Sequence, residues 1–206
     1  MSTTTGSLAE STLEGLLEAL ASKQPVPGGG AVAGITTALA AGLGGMVVAY
    51  SLGKPALESA QPMLEETAHE LETLRRRALE EAEGDAAAYG RLNALWSLEK
   101  EHPDRVSGWN QAVEGAIEAP GAIMRTADRV LELLERLPGN SARHLASDLS
   151  IAVELAATGA RSAERNVAIN LPSLEDETAR ERLDETYGEL GARVDARARS
   201  ILEQIA

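Results

Sequence analysis

Residues 25–34 have a composition that suits a turn able to bind an anion. They read Pro-Val-Pro-Gly-Gly-Gly-Ala-Val-Ala-Gly, so two prolines restrict φ before Gly28, Gly29 and Gly30 relax it. A helix beginning here would present unpaired N–H groups and the positive end of its dipole to the turn. The alternative is structural, because glycines also allow two helices to approach closely. The segment matches neither the P-loop nor the Rossmann fingerprint, since no strand precedes it and no Lys-Ser/Thr closes it.

Asp85 falls on the apolar face of a long predicted helix. The other heptad-spaced positions of that face are Leu64, Leu71, Ala78 and Leu92. A carboxylate on such a face is costly unless it is paired, and burial would raise its pKa toward the range that suits general acid–base catalysis. Tyr89 lies one turn further on the same face. The alternative is a structural aspartate bonded to a neighbouring helix, or a face that drifts to the surface after Gly84.

A second polar stripe follows a later predicted helix. Asp148 shares a face with Asn166, and His144 lies one turn before Asp148. At a rise of about 1.5 Å per residue, Asp148 and Asn166 are about 27 Å apart, so they cannot grip one small group. Asn166 and Asn170, one turn apart, alternatively cap a neighbouring turn.

Lys54 is one of three lysines and follows Gly53 at the end of the second predicted helix. It either pairs with the negative end of the helix dipole or contacts an anionic ligand. Gly30 and Lys54 lie at opposite ends of a helix about 33 Å long, from a rise of about 1.5 Å per residue. Both can contact one ligand only if two chains contribute.

The fold that carries these residues is predicted to be all-α, because no segment shows the alternation of apolar and polar residues that is typical of a strand. We expect about six helices: one capped by Ser11 and ending near Ala21, then residues 31–52, 62–100, a fourth after a break at 101–108, 141–170, and a charged C-terminal helix. The fourth is expected to kink or split at Pro120-Gly121. Short connections favour one bundle domain over residues 1–206, with residues 1–6 as a flexible tail.

Composition argues against several classes of protein. The absence of cysteine excludes disulfides and thiol catalysis, and a net charge of −13 argues against binding to nucleic acid. His69, His102 and His144 fall on separate predicted elements, so no metal site is expected. The uncharged stretch 24–53 is long enough to cross a bilayer, but its alanine and glycine content favours a buried central helix and no membrane association. No signal segment is recognised, which predicts a cytoplasmic protein.

Further motifs follow the glycine turn in an order typical of one family. They are Gly53-Lys54, Asp85 with Ala88-Tyr89, Ala119-Pro120, Ser147-Asp148, Arg161-Ser162-Ala163 and Asn166-Val167-Ala168-Ile169-Asn170-Leu171. With them the chain resembles, over nearly its full length, the cyclodeaminase/cyclohydrolase family. That family includes bacterial methenyltetrahydrofolate cyclohydrolases and the cyclodeaminase domain of formiminotransferase-cyclodeaminase.

The resemblance implies an enzyme of folate one-carbon metabolism. The reaction would be hydrolysis of 5,10-methenyltetrahydrofolate to 10-formyltetrahydrofolate, or ring closure of 5-formiminotetrahydrofolate with loss of ammonia. Asp85 would transfer protons, Lys54 would act as acid or electrostatic anchor, and Asp148 would bond the pterin edge. The implied substrate-binding residues are Gly28, Gly29, Gly30, Tyr89, His144 and Asn166.

The resemblance also implies a tetrahydrofolate substrate, no other cofactor, and a homodimer with the site at or near the subunit interface. The chain departs from the family near the site, where Pro55-Ala56-Leu57 follows Lys54 and Ala31 replaces a common serine. A catalytically silent folate-binding paralogue and a structural helical interaction protein therefore stay open as alternatives.

Overall fold

Helices account for the regular secondary structure of residues 7–206, which are the residues that the computed structural model describes. The six α-helices are α1 (Leu13–Ala21), α2 (Gly29–Ala49), α3 (Gln61–Trp96), α4 (Pro103–Leu134), α5 (Ala146–Asn170) and α6 (Glu177–Ile205). Short 3₁₀ segments cover Leu8–Glu10, Pro55–Ala60, Arg143–Leu145 and Leu171–Ser173. The predicted all-α class is confirmed, while the expected tail at residues 1–6 lies outside the described residues.

Several helix boundaries differ from the predictions for local reasons. The cap of α1 is Thr12 rather than Ser11, because the Thr12 hydroxyl accepts a hydrogen bond of 3.1 Å from the Gly15 N–H. The break predicted at 101–108 is shorter, since the His102 side chain accepts a bond from the Asp104 N–H and α4 begins at Pro103. Of the kink or split expected at Pro120-Gly121, the split is absent, because α4 continues as one helix from Pro103 to Leu134.

The central element of the bundle is α2, which packs against α3, α4 and α5. Glycine sets how closely these helices approach. A Cβ atom on Gly34 would lie 2.7 Å from the Cβ of Ala82 on α3, and one on Gly159 of α5 would overlap the Thr37 hydroxyl. In length and composition α2 could cross a membrane, but 11 of its 21 residues are buried inside the bundle.

The outer helix α6 closes the bundle against α4 and α5. Its arginines reach Asp128 of α4, a residue only 7% exposed. Arg193 Nε lies 3.0 Å from Asp128 Oδ2, and an Arg197 guanidinium nitrogen lies 2.7 Å from Asp128 Oδ1. Because both carboxylate oxygens of Asp128 are paired, its buried charge joins α6 to α4 at a defined position.

Candidate active site

A cavity of about 270 Å³ lies where the N-terminal end of α2 meets α3, α4 and α5. Its wall consists of Pro25, Val26, Gly28, Gly29, Gly30, Asp85, Ala86, Tyr89, Ala116, Asn166, Ile169 and Asn170. Ligand pockets commonly measure about 300–1,000 Å³, so this cavity suits one ring system rather than a whole elongated ligand. Six of the residues predicted for the site share this wall: Gly28, Gly29, Gly30, Asp85, Tyr89 and Asn166.

The glycine turn is shaped around its neighbours on α3 and α5. A Cβ atom on Gly30 would overlap the carboxylate of Asp85, so only glycine permits this approach of α2 to α3. A Cβ on Gly29 would lie 3.7 Å from Asn166 Oδ1, which is ordinary contact distance. The close-packing interpretation of the glycines is therefore correct at Gly30, and the same contact holds a carboxylate in the cavity wall.

Asp85 is a half-buried carboxyl group, and no charged side chain within residues 7–206 forms an ion pair with it. Burial raises its pKa from 3.8 to about 6, and desolvation is the cause. An Asp pKa near 6 leaves the group largely ionised at neutral pH, yet basic enough to take up a proton. This is the protonation behaviour that a general base requires.

Asn170 is a wall residue that the interpretation of the sequence left out of the site. Its side-chain nitrogen donates hydrogen bonds of 2.9 Å to the carbonyl oxygens of Ala116 on α4 and Asn166 on α5. These carbonyls lie within α4 and α5, so the amide bonds helix interiors and does not cap a neighbouring turn, as the alternative expected. Two signals pointed to the site as well: Asn170 lies one turn after Asn166, and Pro120 cannot donate to the carbonyl of Ala116.

Lys54, His144 and Asp148 lie at the other end of α2. Lys54 precedes the 3₁₀ turn that follows α2, and the His144 ring meets Tyr50, at the end of α2, edge-on with ring centroids 6.4 Å apart. Asp148 lies in the first turn of α5, whose far end approaches the glycine turn. The 21 residues of α2 span about 30 Å, so these side chains cannot reach the cavity wall of their own chain.

No cluster within residues 7–206 has the composition of a metal site. No group of three or more His, Asp or Glu side chains in that range is close enough to hold an ion. The histidines lie on separate elements, with His69 on α3, His102 before α4 and His144 in a 3₁₀ turn.

The fold and the cavity define a class of protein: an all-α bundle in which the central helix begins at a glycine turn packed on a carboxylate of raised pKa. A family model described as Formiminotransferase-cyclodeaminase matches residues 12–189. The chain belongs to this family, and the family predicted from the motifs is confirmed.

Individual relatives agree with this assignment. A methenyltetrahydrofolate cyclohydrolase from Methylorubrum extorquens is 33% identical over 182 residues, which cover 86% of this chain and 88% of that protein. A formimidoyltransferase-cyclodeaminase from Mus musculus is 24% identical over 180 residues, which cover 85% of this chain but only 33% of that longer protein. The crystal structure of a formiminotetrahydrofolate cyclodeaminase from Thermotoga maritima has the same fold, with a TM-score of 0.88, 24% identity and 96% of each chain covered.

Proposed function

We propose that this chain is a folate one-carbon enzyme that hydrolyses 5,10-methenyltetrahydrofolate to 10-formyltetrahydrofolate. The observation that carries the proposal is the Asp85 carboxylate, packed on Gly30 in a cavity wall with its pKa raised to about 6. Hydrolysis is favoured over cyclodeamination by the cyclohydrolase relative, which is 33% identical and matched over 88% of its length.

The chemistry needs one group that both accepts and returns a proton. Water adds to the carbon that bridges N5 and N10, and its proton passes to the Asp85 carboxylate. The N5–carbon bond then breaks, Asp85 returns the proton to N5, and the remaining hydroxyl loses its proton to solvent as the formyl group forms on N10. A cationic substrate thus yields a neutral product and one proton. A carboxyl pKa near 6 serves both transfers at neutral pH.

The proposal includes a homodimer in which two chains complete one site. An apolar groove of about 540 Å³ runs along the exposed face of α2, lined there by residues from Ile35 to Met46. Leu39, in the middle of that face, is 57% exposed. A second copy related by a two-fold axis across α2 would bury the groove and set the two α2 helices antiparallel. Lys54 of a second copy would then lie beside Gly30 and Asp85.

The primary test of the function is a spectrophotometric assay with methenyltetrahydrofolate, corrected for spontaneous hydrolysis. We expect turnover that Asp85→Asn lowers and that Asp184→Asn, a change at an exposed aspartate, leaves unaltered. Release of ammonia from 5-formiminotetrahydrofolate without methenyl hydrolysis would instead identify a cyclodeaminase. Thermal stabilisation by folates without turnover would identify a silent paralogue, and no response to folates would leave a structural protein.

The shared site is tested by mixing two inactive variants. Asp85→Asn and Lys54→Ala chains, unfolded and refolded together, would form heterodimers that each keep one intact site. Random pairing predicts recovery of about a quarter of wild-type activity. Lys100→Ala, at an exposed lysine, is the control for loss of a charge. No recovery from a mixture shown to contain heterodimers would contradict the shared site.

A cytoplasmic location is also part of the proposal. The burial of 11 residues of α2 in the bundle supports it, because this is the helix among the described residues whose composition suits a membrane span. Cell fractionation tests the location, and recovery in the membrane fraction would contradict it.

A further inference from the structure

Two backbone carbonyls set the orientation of the Asn170 amide, and one of them lacks its usual donor because of a proline on the same helix as that carbonyl. Pro120 has no N–H, so the carbonyl of Ala116 lacks the donor that α4 would otherwise provide four residues later. The Asn170 side-chain nitrogen supplies that donor at 2.9 Å, and its other hydrogen serves the Asn166 carbonyl, also at 2.9 Å. A flipped amide would set Oδ1 against two carbonyl oxygens, so this orientation is strongly preferred.

With both amide hydrogens used, Oδ1 is the remaining polar atom of Asn170. The residue is only 6% exposed and lines the cavity. Within residues 7–206, Oδ1 accepts no hydrogen bond. Glu81 Oε2 is the one side-chain nitrogen or oxygen in that range that is both fully enclosed and without a partner, so Oδ1 is not fully enclosed. The oxygen of Asn170 therefore faces the cavity. A buried acceptor held in this way can bind a ligand N–H. A ligand without that N–H leaves the acceptor unpaired and binds with lower affinity.

We propose that Asn170 is a specificity-determining residue whose Oδ1 accepts a hydrogen bond from the 2-amino group or from N8–H of the bound pterin. The inference rests on the proposed folate function and deepens it. A reduced pterin carries one of these donors on each ring, the 2-amino group on the pyrimidinone ring and N8–H on the reduced ring. The Ala116 and Asn166 carbonyls together hold the amide with Oδ1 toward the cavity.

The test removes the acceptor without leaving the Ala116 carbonyl unpaired. Asn170→Ala alone would leave that carbonyl without a donor, and misfolding could then explain any loss. In the double variant Pro120→Ala/Asn170→Ala, the backbone N–H of residue 120 replaces the missing donor. Pro120→Ala alone is the reference protein, since it differs from the double variant only in the Asn170 side chain. Its Asn170 amide keeps the same orientation, because the Asn166 carbonyl still accepts a hydrogen bond from Nδ2. Coincident thermal melts of the two proteins confirm that both are folded.

Affinity is measured by calorimetry with tetrahydrofolate and with analogues that lack one donor, a 2-desamino analogue and an 8-deaza analogue. In the reference protein we expect one analogue to bind about 10- to 100-fold more weakly than tetrahydrofolate, the usual effect of an unpaired buried group. In the double variant, the affinity for tetrahydrofolate should fall by the same factor. Tetrahydrofolate and that analogue should then bind equally tightly. The analogue that responds identifies which ring donor Oδ1 contacts.

Asn140→Ala is the matched control, because the Asn140 amide also donates to a carbonyl four residues earlier, that of Arg136, but at an exposed position. It should leave every affinity unchanged. Equal affinity of the reference and double variants for tetrahydrofolate, or a preference that survives loss of Asn170, would overturn the inference while the folate function stands. Failure of the wild-type protein to bind any of these folates would overturn the proposed function and the inference together.

Discussion

Replacing Asp85 by asparagine should lower kcat and at the same time stabilise the fold at neutral pH. The reason is that the cavity wall partly removes the carboxylate from water, which destabilises its ionised form. Its pKa rises from 3.8 to about 6, with burial as the cause. Asparagine has nearly the same size and carries no charge, so it keeps the contact with Gly30 and removes the desolvated ion.

The size of the stabilisation follows from the pKa shift. A rise from 3.8 to about 6 corresponds to an upper limit of about 3 kcal/mol at about 1.4 kcal/mol per pKa unit. Because Asp85 is only half-buried and asparagine is itself polar, we expect about 1–2 kcal/mol, or about 2–8 °C in Tm for a chain of this length.

The sign of the pH dependence is set by the direction of the shift. A raised carboxyl pKa means that the folded state holds the proton more tightly than the unfolded state. Below about pH 4 Asp85 is protonated in both states and does not lower the folding stability. As the pH rises, the desolvated carboxylate lowers the folding stability increasingly, until the pH exceeds about 6. The variant should match the wild-type protein near pH 4 and exceed its stability at pH 8.

The assay combines thermal melts at several pH values with kcat measured against pH. Wild-type kcat should rise as the pH increases through about 6, where the base becomes ionised. Asp85→Asn should lose that limb and about 10²-fold in kcat near neutral pH. Asp184→Asn, at an exposed position, should change neither measurement.

Two results would refute this reasoning. Wild-type turnover in a well-folded Asp85→Asn protein would remove Asp85 from the chemistry. A variant less stable than wild type at pH 8 would show that the carboxylate makes a stabilising hydrogen bond, so that desolvation does not determine its energy.

Two further substitutions test the packing that positions the site and closes the bundle. Gly30→Ala should displace the Asp85 carboxylate and lower kcat at least about 10-fold, because its Cβ would occupy the carboxylate position; unaltered activity would contradict that contact. Gly188→Ala, where no atom lies within 4 Å, is its control and should stabilise α6 by about 0.5–1 kcal/mol. Asp128→Ala should cost about 2 kcal/mol in urea unfolding, because the hydrogen bonds from Arg193 and Arg197 are lost while Arg197 keeps Glu132 and Glu135 as partners; a cost below about 1 kcal/mol would contradict a structural ion pair.

Much of the fold could be predicted because its signals are local. Helical periodicity, the prolines and the glycines identified six helices, and Asp85 was recognised because a carboxylate interrupts an apolar face. The order of short motifs identified the family, which the family model confirms. The roles of individual site residues and the extent of the domain stay predictions. A boundary such as that of α1 was misplaced by one residue, because Ser11 and Thr12 are both good caps.

The sequence by itself determined the all-α class, the glycine turn and the presence of a carboxylate, Asp85, on the apolar face of a helix. Only the tertiary structure decided that Gly30 packs on Asp85, because that contact joins residues 55 positions apart through the register of α2 against α3. The same holds for Asn170, whose donor reaches the carbonyl that Pro120 leaves unpaired on a different helix. A helix pattern specifies which face is buried, but the relative shift of two packed helices depends on how all their side chains interlock.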